Sequence, residues 1–218
     1  MTSHAHIDPV DHGPARSDAR LVVYGVHGRT QSPEFLKELA ARLGLDWISW
    51  VLPAAADNSW YPGKFMADMD SNQPQLGQAI GVVEKQLEGL LRERDAGGPP
   101  VAVLGFSQGA CLLAEYLLTR QPAVDGVVLH TGGFLGPDRR TFAQRPGSPM
   151  ANTQVELFCA DQDPWVPLQR AKETAEAFEA VVASTSLTVY HDSEHHINDH
   201  ALGRMRMYFR GLVDRASV

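Results

Sequence analysis

The sequence is poor in cysteine: only Cys111 and Cys159 occur in 218 residues. Neither a disulfide framework nor a metal site is expected from them. Each lies inside an apolar run, so both read as small buried core residues. Basic clusters are also missing. Lys and Arg number 19 against 26 Asp and Glu, the net charge is −7, and no Lys/Arg-rich run appears. Without a basic face to meet phosphates, no nucleic-acid partner is expected. No apolar run approaches the length of a bilayer span, so no stable membrane association is expected either. Residues 1–20 carry His4, His6 and His12 with Pro9 and Pro14, and they lack the apolar core of a secretory signal. They read as a flexible tail, and the chain is expected in the cytoplasm.

What is present suits a core of good size: 44% of residues are hydrophobic and 21% charged. Composition shifts, linkers and internal repeats are lacking, so residues 21–218 read as a single domain. Short β-branched runs alternate with helical patterns along it. Strands are expected at residues 21–26, 46–52, 101–106, 126–130, 154–160 and 186–190. Between the first two, Ser32-Pro33 opens a helix, serine as its cap and proline at its first position, and Gly44 closes it. A second helix is expected over residues 74–94, with Leu76, Ile80, Val83, Leu87 and Leu90 on one stripe. Strands and helices alternating in this way predict a mostly parallel sheet of six or seven strands, covered by helices on both faces. Residues 53–74 break the pattern. A loop of that length is functional or mobile, and its Trp60, Tyr61 and Phe65 argue against disorder.

The chemistry begins at residues 101–110. An apolar strand stops at Gly105-Phe106-Ser107-Gln108-Gly109, and a helical pattern with Cys111, Leu112, Leu113, Tyr116 and Leu117 follows at once. Gly-x-Ser-x-Gly between strand and helix is the nucleophile elbow of α/β hydrolases. The turn is so tight that its neighbours must be small, and it lifts the hydroxyl above the sheet beside the first amides of a helix. A serine hydroxyl is a poor nucleophile at neutral pH and needs a base, itself oriented by a carboxylate. Both follow in the order this fold uses. After the strand at 154–160 come Asp161 and Asp163; after the strand at 186–190 come His191, His195 and His196. The cluster of His191, His195, His196 and His200 with Asp192, Glu194 and Asp199 has a second reading as metal ligands. Its His-x3-His pairs fall across an expected strand-to-helix turn and no cysteine joins them, so no metal is expected.

Gly105-Phe-Ser-Gln-Gly-Ala110, Asp163-Pro-Trp-Val-Pro167 and His195-His-Ile197 together resemble the phospholipase/carboxylesterase family. That compact α/β-hydrolase group includes acyl-protein thioesterases and bacterial carboxylesterases. The resemblance runs over nearly the whole chain from about Leu21. It implies an α/β-hydrolase fold without a separate lid domain, and it places the acid at Asp163. Ala160 stands where the family pattern has glycine. For the base the family pattern is Gly-His-x-Ile/Val. Glu194 replaces that glycine, His195 keeps the spacing to Ile197, and His196 remains the alternative. The resemblance also implies an oxyanion hole made by the backbone N–H groups of Arg29 and Gln108, with His27 as a buried support of the first loop.

Trp60, Tyr61 and Phe65 on the long loop, Phe134 after the strand at 126–130 and Trp165 beside the acid are candidates for an apolar acyl wall. The expected activity is hydrolysis of carboxylic esters, and of thioesters, through an acyl-enzyme on Ser107. A small-molecule ester or thioester would be the substrate, with no metal or organic cofactor. An imidazole base must be neutral to work, so activity should rise through about pH 6 to 8. Lysophospholipase, cutinase-like and dienelactone-hydrolase-like specificities are rivals on the same scaffold, although dienelactone hydrolases use cysteine at the elbow. A catalytically silent binding protein is the rival from another class. Oligomeric state is left open.

Overall fold

In the computed structural model, residues 8–216 are described. Seven strands form one sheet: β1 (Val10–His12), β2 (Leu21–Val26), β3 (Ile48–Leu52), β4 (Val101–Phe106), β5 (Gly126–His130), β6 (Gln154–Ala160) and β7 (Ser184–Tyr190). Their spatial order is β1-β3-β2-β4-β5-β6-β7, and every pairing is parallel except that of β1 with β3. Five helices cover it: α1 (Pro33–Leu43), α2 (Gln75–Asp95), α3 (Gln108–Arg120), α4 (Leu168–Glu179) and α5 (Asp199–Ala216). This is the expected α/β-hydrolase architecture.

The central strands read as unbroken apolar runs because both of their faces are buried. In β4, Val101 and Val103 belong to one core together with Tyr24 of β2 and Val83 of α2, while Ala102, Leu104 and Phe106 belong to the other. The first core lies under α2, α3 and α4, the second under α1 and α5. Gly44 ends α1 in the left-handed conformation at φ 60°. Ser32 does occupy the cap position of α1, but its side chain makes no capping hydrogen bond.

The amino-terminal expectation is corrected from residue 10 onward. Val10–His12 pairs antiparallel with β3, Val10 opposite Leu52 and His12 opposite Trp50. Arg16 adds an ion pair to Glu93 at 3.0 Å. Three residues of mixed polarity carry no periodic signal, and the partner strand, not their own pattern, makes them a strand. His4 and His6 lie outside the described residues.

The chain leaves β2 toward β3 on one side and returns to β4 on the other. The carboxyl ends of β2 and β4 therefore flank the point where strand order reverses, the place where open α/β sheets form their crevices. Among the described residues no helix is long and apolar enough to cross a membrane.

Candidate active site

Ser107 stands between β4 and α3 with φ 54° and ψ −120°, a backbone conformation that non-glycine residues rarely adopt. The surroundings over-determine it. Its amide donates to the His130 carbonyl at 3.0 Å, and its carbonyl accepts the Cys111 amide at 3.0 Å. The glycines two before and two after have steric reasons. A Cβ on Gly105 would lie 2.7 Å from the Ala110 backbone, and one on Gly109 would strike the Val26 carbonyl.

Three loops at the carboxyl edge of the sheet bring their side chains to this point. His195, from the loop after β7, has Nε2 2.8 Å from Ser107 Oγ. Its Nδ1 lies 2.7 Å from Asp163 Oδ2, from the loop after β6. Asp163 Oδ1 accepts the amides of Trp165 and Val166, each at 2.9 Å. The Asp163 side chain is fully buried and that of His195 is 18% exposed. Burial pushes the Asp163 carboxyl upward, but the imidazole and the two amides outweigh it and hold the group below the ordinary carboxylate value. A carboxylate so fixed accepts Nδ1–H and leaves Nε2 free to take the serine proton.

His196, the alternative base, faces elsewhere. Its Nε2 meets Asp192 at 3.1 Å and its Nδ1 meets Glu194 at 2.9 Å. Asp161 is also engaged elsewhere, with its Oδ2 2.7 Å from His191 Nδ1. That hydrogen bond lowers the carboxyl and raises the imidazole relative to their ordinary values.

The loop after β2 comes close to the nucleophile: a Cβ on Gly28 would lie 3.1 Å from Ser107 Cβ. Neither the Arg29 amide nor the Gln108 amide has a hydrogen-bond acceptor among the described residues. The latter opens α3, where the helix dipole favours negative charge. The Arg29 side chain turns away, its guanidinium donating to the carbonyls of Tyr61, Pro62 and Gly63 at 2.5 to 2.9 Å. His27 is fully buried. Its Nε2 accepts the Ala55 amide at 3.2 Å, so the ring proton sits on Nδ1 and is donated to the Gly28 carbonyl at 2.7 Å.

The expected acyl wall is corrected for three of its five members. Trp60, Tyr61 and Phe134 are at most 1% exposed and belong to the core beneath the rim. Gln108 fixes the first two: Oε1 accepts the Trp60 amide at 3.0 Å and Nε2 donates to the Tyr61 carbonyl at 2.8 Å. The Trp60 indole donates to the His27 carbonyl at 2.8 Å. An aromatic residue in a long loop reads equally as wall or as core, and here the loop folds inward. Phe134 is held down by Arg170, whose guanidinium lies 4.4 Å over its ring. Phe65 is half-buried, and its carbonyl accepts the Gly136 amide at 2.8 Å. Trp165 is 69% exposed beside Asp163.

Sequence reasoning missed a layer behind these groups. His130, Thr131 and Tyr190 sit under the three loops, and Arg170 clamps the loop after β5. The available signal was a histidine ending the otherwise apolar run of β5, at the edge where the site assembles. Among the described residues no three His, Cys, Asp or Glu side chains are grouped to hold a metal ion.

The sequence profile of the phospholipase/carboxylesterase family matches residues 21–212. Among curated proteins, no relative matches by sequence. Of solved structures, a phospholipase/carboxylesterase from Dyadobacter fermentans is similar at 29% identity and TM-score 0.81, covering 95% of this chain and 97% of that one. Esterase PE8 is similar at 18% identity and TM-score 0.74, over 94% of this chain and 99% of its own. The Bacillus cereus carboxylesterase is similar at 15% identity and TM-score 0.70, over 95% of each chain. The last two likenesses are of fold.

Proposed function

Since the chain belongs to the phospholipase/carboxylesterase family and is an esterase-type hydrolase, we propose that Ser107, His195 and Asp163 form its catalytic triad and that it cleaves carboxylic esters and thioesters through an acyl-enzyme. His195 Nε2 takes the Ser107 proton as Oγ attacks the acyl carbon. The carbonyl oxygen becomes an oxyanion and is met by the amides of Arg29 and Gln108. Asp163 holds Nδ1–H and stabilises the imidazolium that forms. Collapse of the tetrahedral adduct breaks the bond to the alcohol or thiol, which leaves with the proton returned by His195. Water then attacks the acyl-serine, giving its proton to His195, and the acid departs as Ser107 is regenerated.

The observation that carries this reading is the unbroken relay of 2.8 Å from Oγ to Nε2 and 2.7 Å from Nδ1 to Oδ2. The exposed Trp165 offers an apolar surface beside the relay, and an open rim suits a short acyl group or one presented on a larger molecule. The test is a series of p-nitrophenyl esters of increasing acyl length beside a matching thioester, given to the wild type and to Ser107→Ala. Turnover by the wild type and background rates in the variant are expected. Activity retained without the hydroxyl would remove Ser107 from its role. Hydrolysis of esters but not the thioester would confine the reading to oxygen esters.

A further inference from the structure

His130 is an ionisable residue in a place built for apolar ones. It is fully buried at the carboxyl end of β5, next to the strand that delivers the nucleophile. Its Nδ1 lies 2.8 Å from Thr131 Oγ1 and its Nε2 2.7 Å from the Tyr190 hydroxyl. Burying a polar ring is tolerable only because both nitrogens are partnered. Burial and the nearby His195 depress its pKa to about 3, so the ring is neutral at working pH and transfers no proton there.

Its partners touch each of the three loops that form the relay. The His130 carbonyl accepts the Ser107 amide at 3.0 Å. Tyr190 is the last residue of β7, from which the loop to His195 departs, and its carbonyl accepts the Asp161 amide at 3.0 Å at the start of the acid loop. Phe106 packs on both histidines, 5.7 Å from the His130 ring and 5.1 Å from the His195 ring. We infer that His130 is a positioning residue: its hydrogen bond to Tyr190 ties the end of β7 to the nucleophile elbow and holds His195 Nε2 at bonding distance from Ser107. This inference rests on the triad reading given above.

The experiment compares wild type, Tyr190→Phe, His130→Leu, His130→Gln and the Tyr190→Phe/His130→Leu double variant, with Ser107→Ala as control. Rates of labelling by a fluorophosphonate and kcat and KM on one p-nitrophenyl ester are measured well below each thermal midpoint. Tyr190→Phe removes one hydroxyl and keeps the ring, so it carries the test even where His130→Leu folds poorly. Because small displacements of a reacting group are costly, labelling and kcat should fall about tenfold in Tyr190→Phe, with KM within about twofold. The double variant should lose no more than the larger single loss, and His130→Gln, whose amide can reach the Tyr190 hydroxyl, should recover most of the rate. Wild-type labelling and kcat in Tyr190→Phe would overturn the inference, as would full losses in His130→Gln or a change confined to KM. An unlabelled wild type, or labelling of Ser107→Ala, would instead bring down the triad reading itself.

Discussion

At Ser107 the backbone with positive φ is held by the His130 carbonyl on β5 and the Cys111 amide on α3, and the consequences are local. Gly109 packs where a methyl group would strike the Val26 carbonyl, a rigid neighbour. Gly109→Ala should therefore destabilise the fold by about 2 kcal/mol or more, read as a lower urea midpoint, because overpacking against backbone has little room to relax. Asp163→Asn keeps the shape of the side chain but offers Nδ1 the wrong partner. Its kcat should drop on the order of 10³- to 10⁴-fold with little change in KM, the size seen for the same exchange in serine proteases. His130 makes a separate prediction about acid stability. Its folded pKa lies below its unfolded value near 6.5, so its neutral burial costs nothing above that value, and stability is lost as pH falls from about 6.5 toward 3. The slope it adds is at most about 1.4 kcal/mol per pH unit. Asp163 is also depressed, but its contribution is present above about 3.9 and disappears below it. Urea midpoints measured from pH 7 to 4.5 should thus fall more steeply for wild type than for His130→Gln; parallel curves would contradict the buried neutral histidine.

Among the elements, the loops at the carboxyl edge are fixed by single polar side chains more than by their own sequence. Arg170, in the first turn of α4, is 2% exposed and donates to the carbonyls of Phe134, Gly136 and Pro137 at 2.8 to 3.0 Å. Replacing it by Met leaves those three carbonyls and the Glu173 carboxylate, 3.0 Å from its Nε, without their donor and should cost about 3 kcal/mol or more. Hydrogen exchange should then quicken over residues 133–137 and stay unchanged in β2. This is also where sequence reading reached its limit. The central parallel strands were legible because a strand buried on both faces is a continuous apolar run, whereas the half-exposed edge strand β7 was read only from residue 186 onward. α1 was legible too, where proline and glycine mark the ends. β1 was illegible, since Val10-Asp11-His12 becomes a strand only by pairing with β3. Trp60 and Tyr61 were visible as unusual loop residues, but their direction depends on Gln108 and His27, which come from other parts of the chain. The positions of Ser107, Asp163 and His195 were readable because each closely follows a strand in a fixed order. Between the adjacent His195 and His196 the spacing to Ile197 favoured His195, and it is His195 whose Nε2 lies 2.8 Å from Ser107 Oγ.

Over the whole molecule the charge is −7, and Asp161, Asp192 and Glu194 lie on the loops around the relay. Arg29, on the loop beside the nucleophile, spends its donors on loop carbonyls. A like-charged mouth repels anionic substrates over about a Debye length, roughly 10 Å at 0.1 M salt. Raising NaCl from about 0.01 to 0.5 M should therefore increase kcat/KM several-fold for an anionic ester and leave a neutral ester of equal acyl length unchanged. Equal responses of the two would place these carboxylates outside the substrate path.

The relay proposed behind Ser107 should make its hydroxyl a nucleophile. A fluorophosphonate reacts only with such a hydroxyl, and peptide mass mapping after labelling locates the adduct. One phosphonyl group on Ser107 in the wild type, and none in Ser107→Ala, is the predicted result. An unlabelled wild type, or an adduct on any other residue, would contradict it.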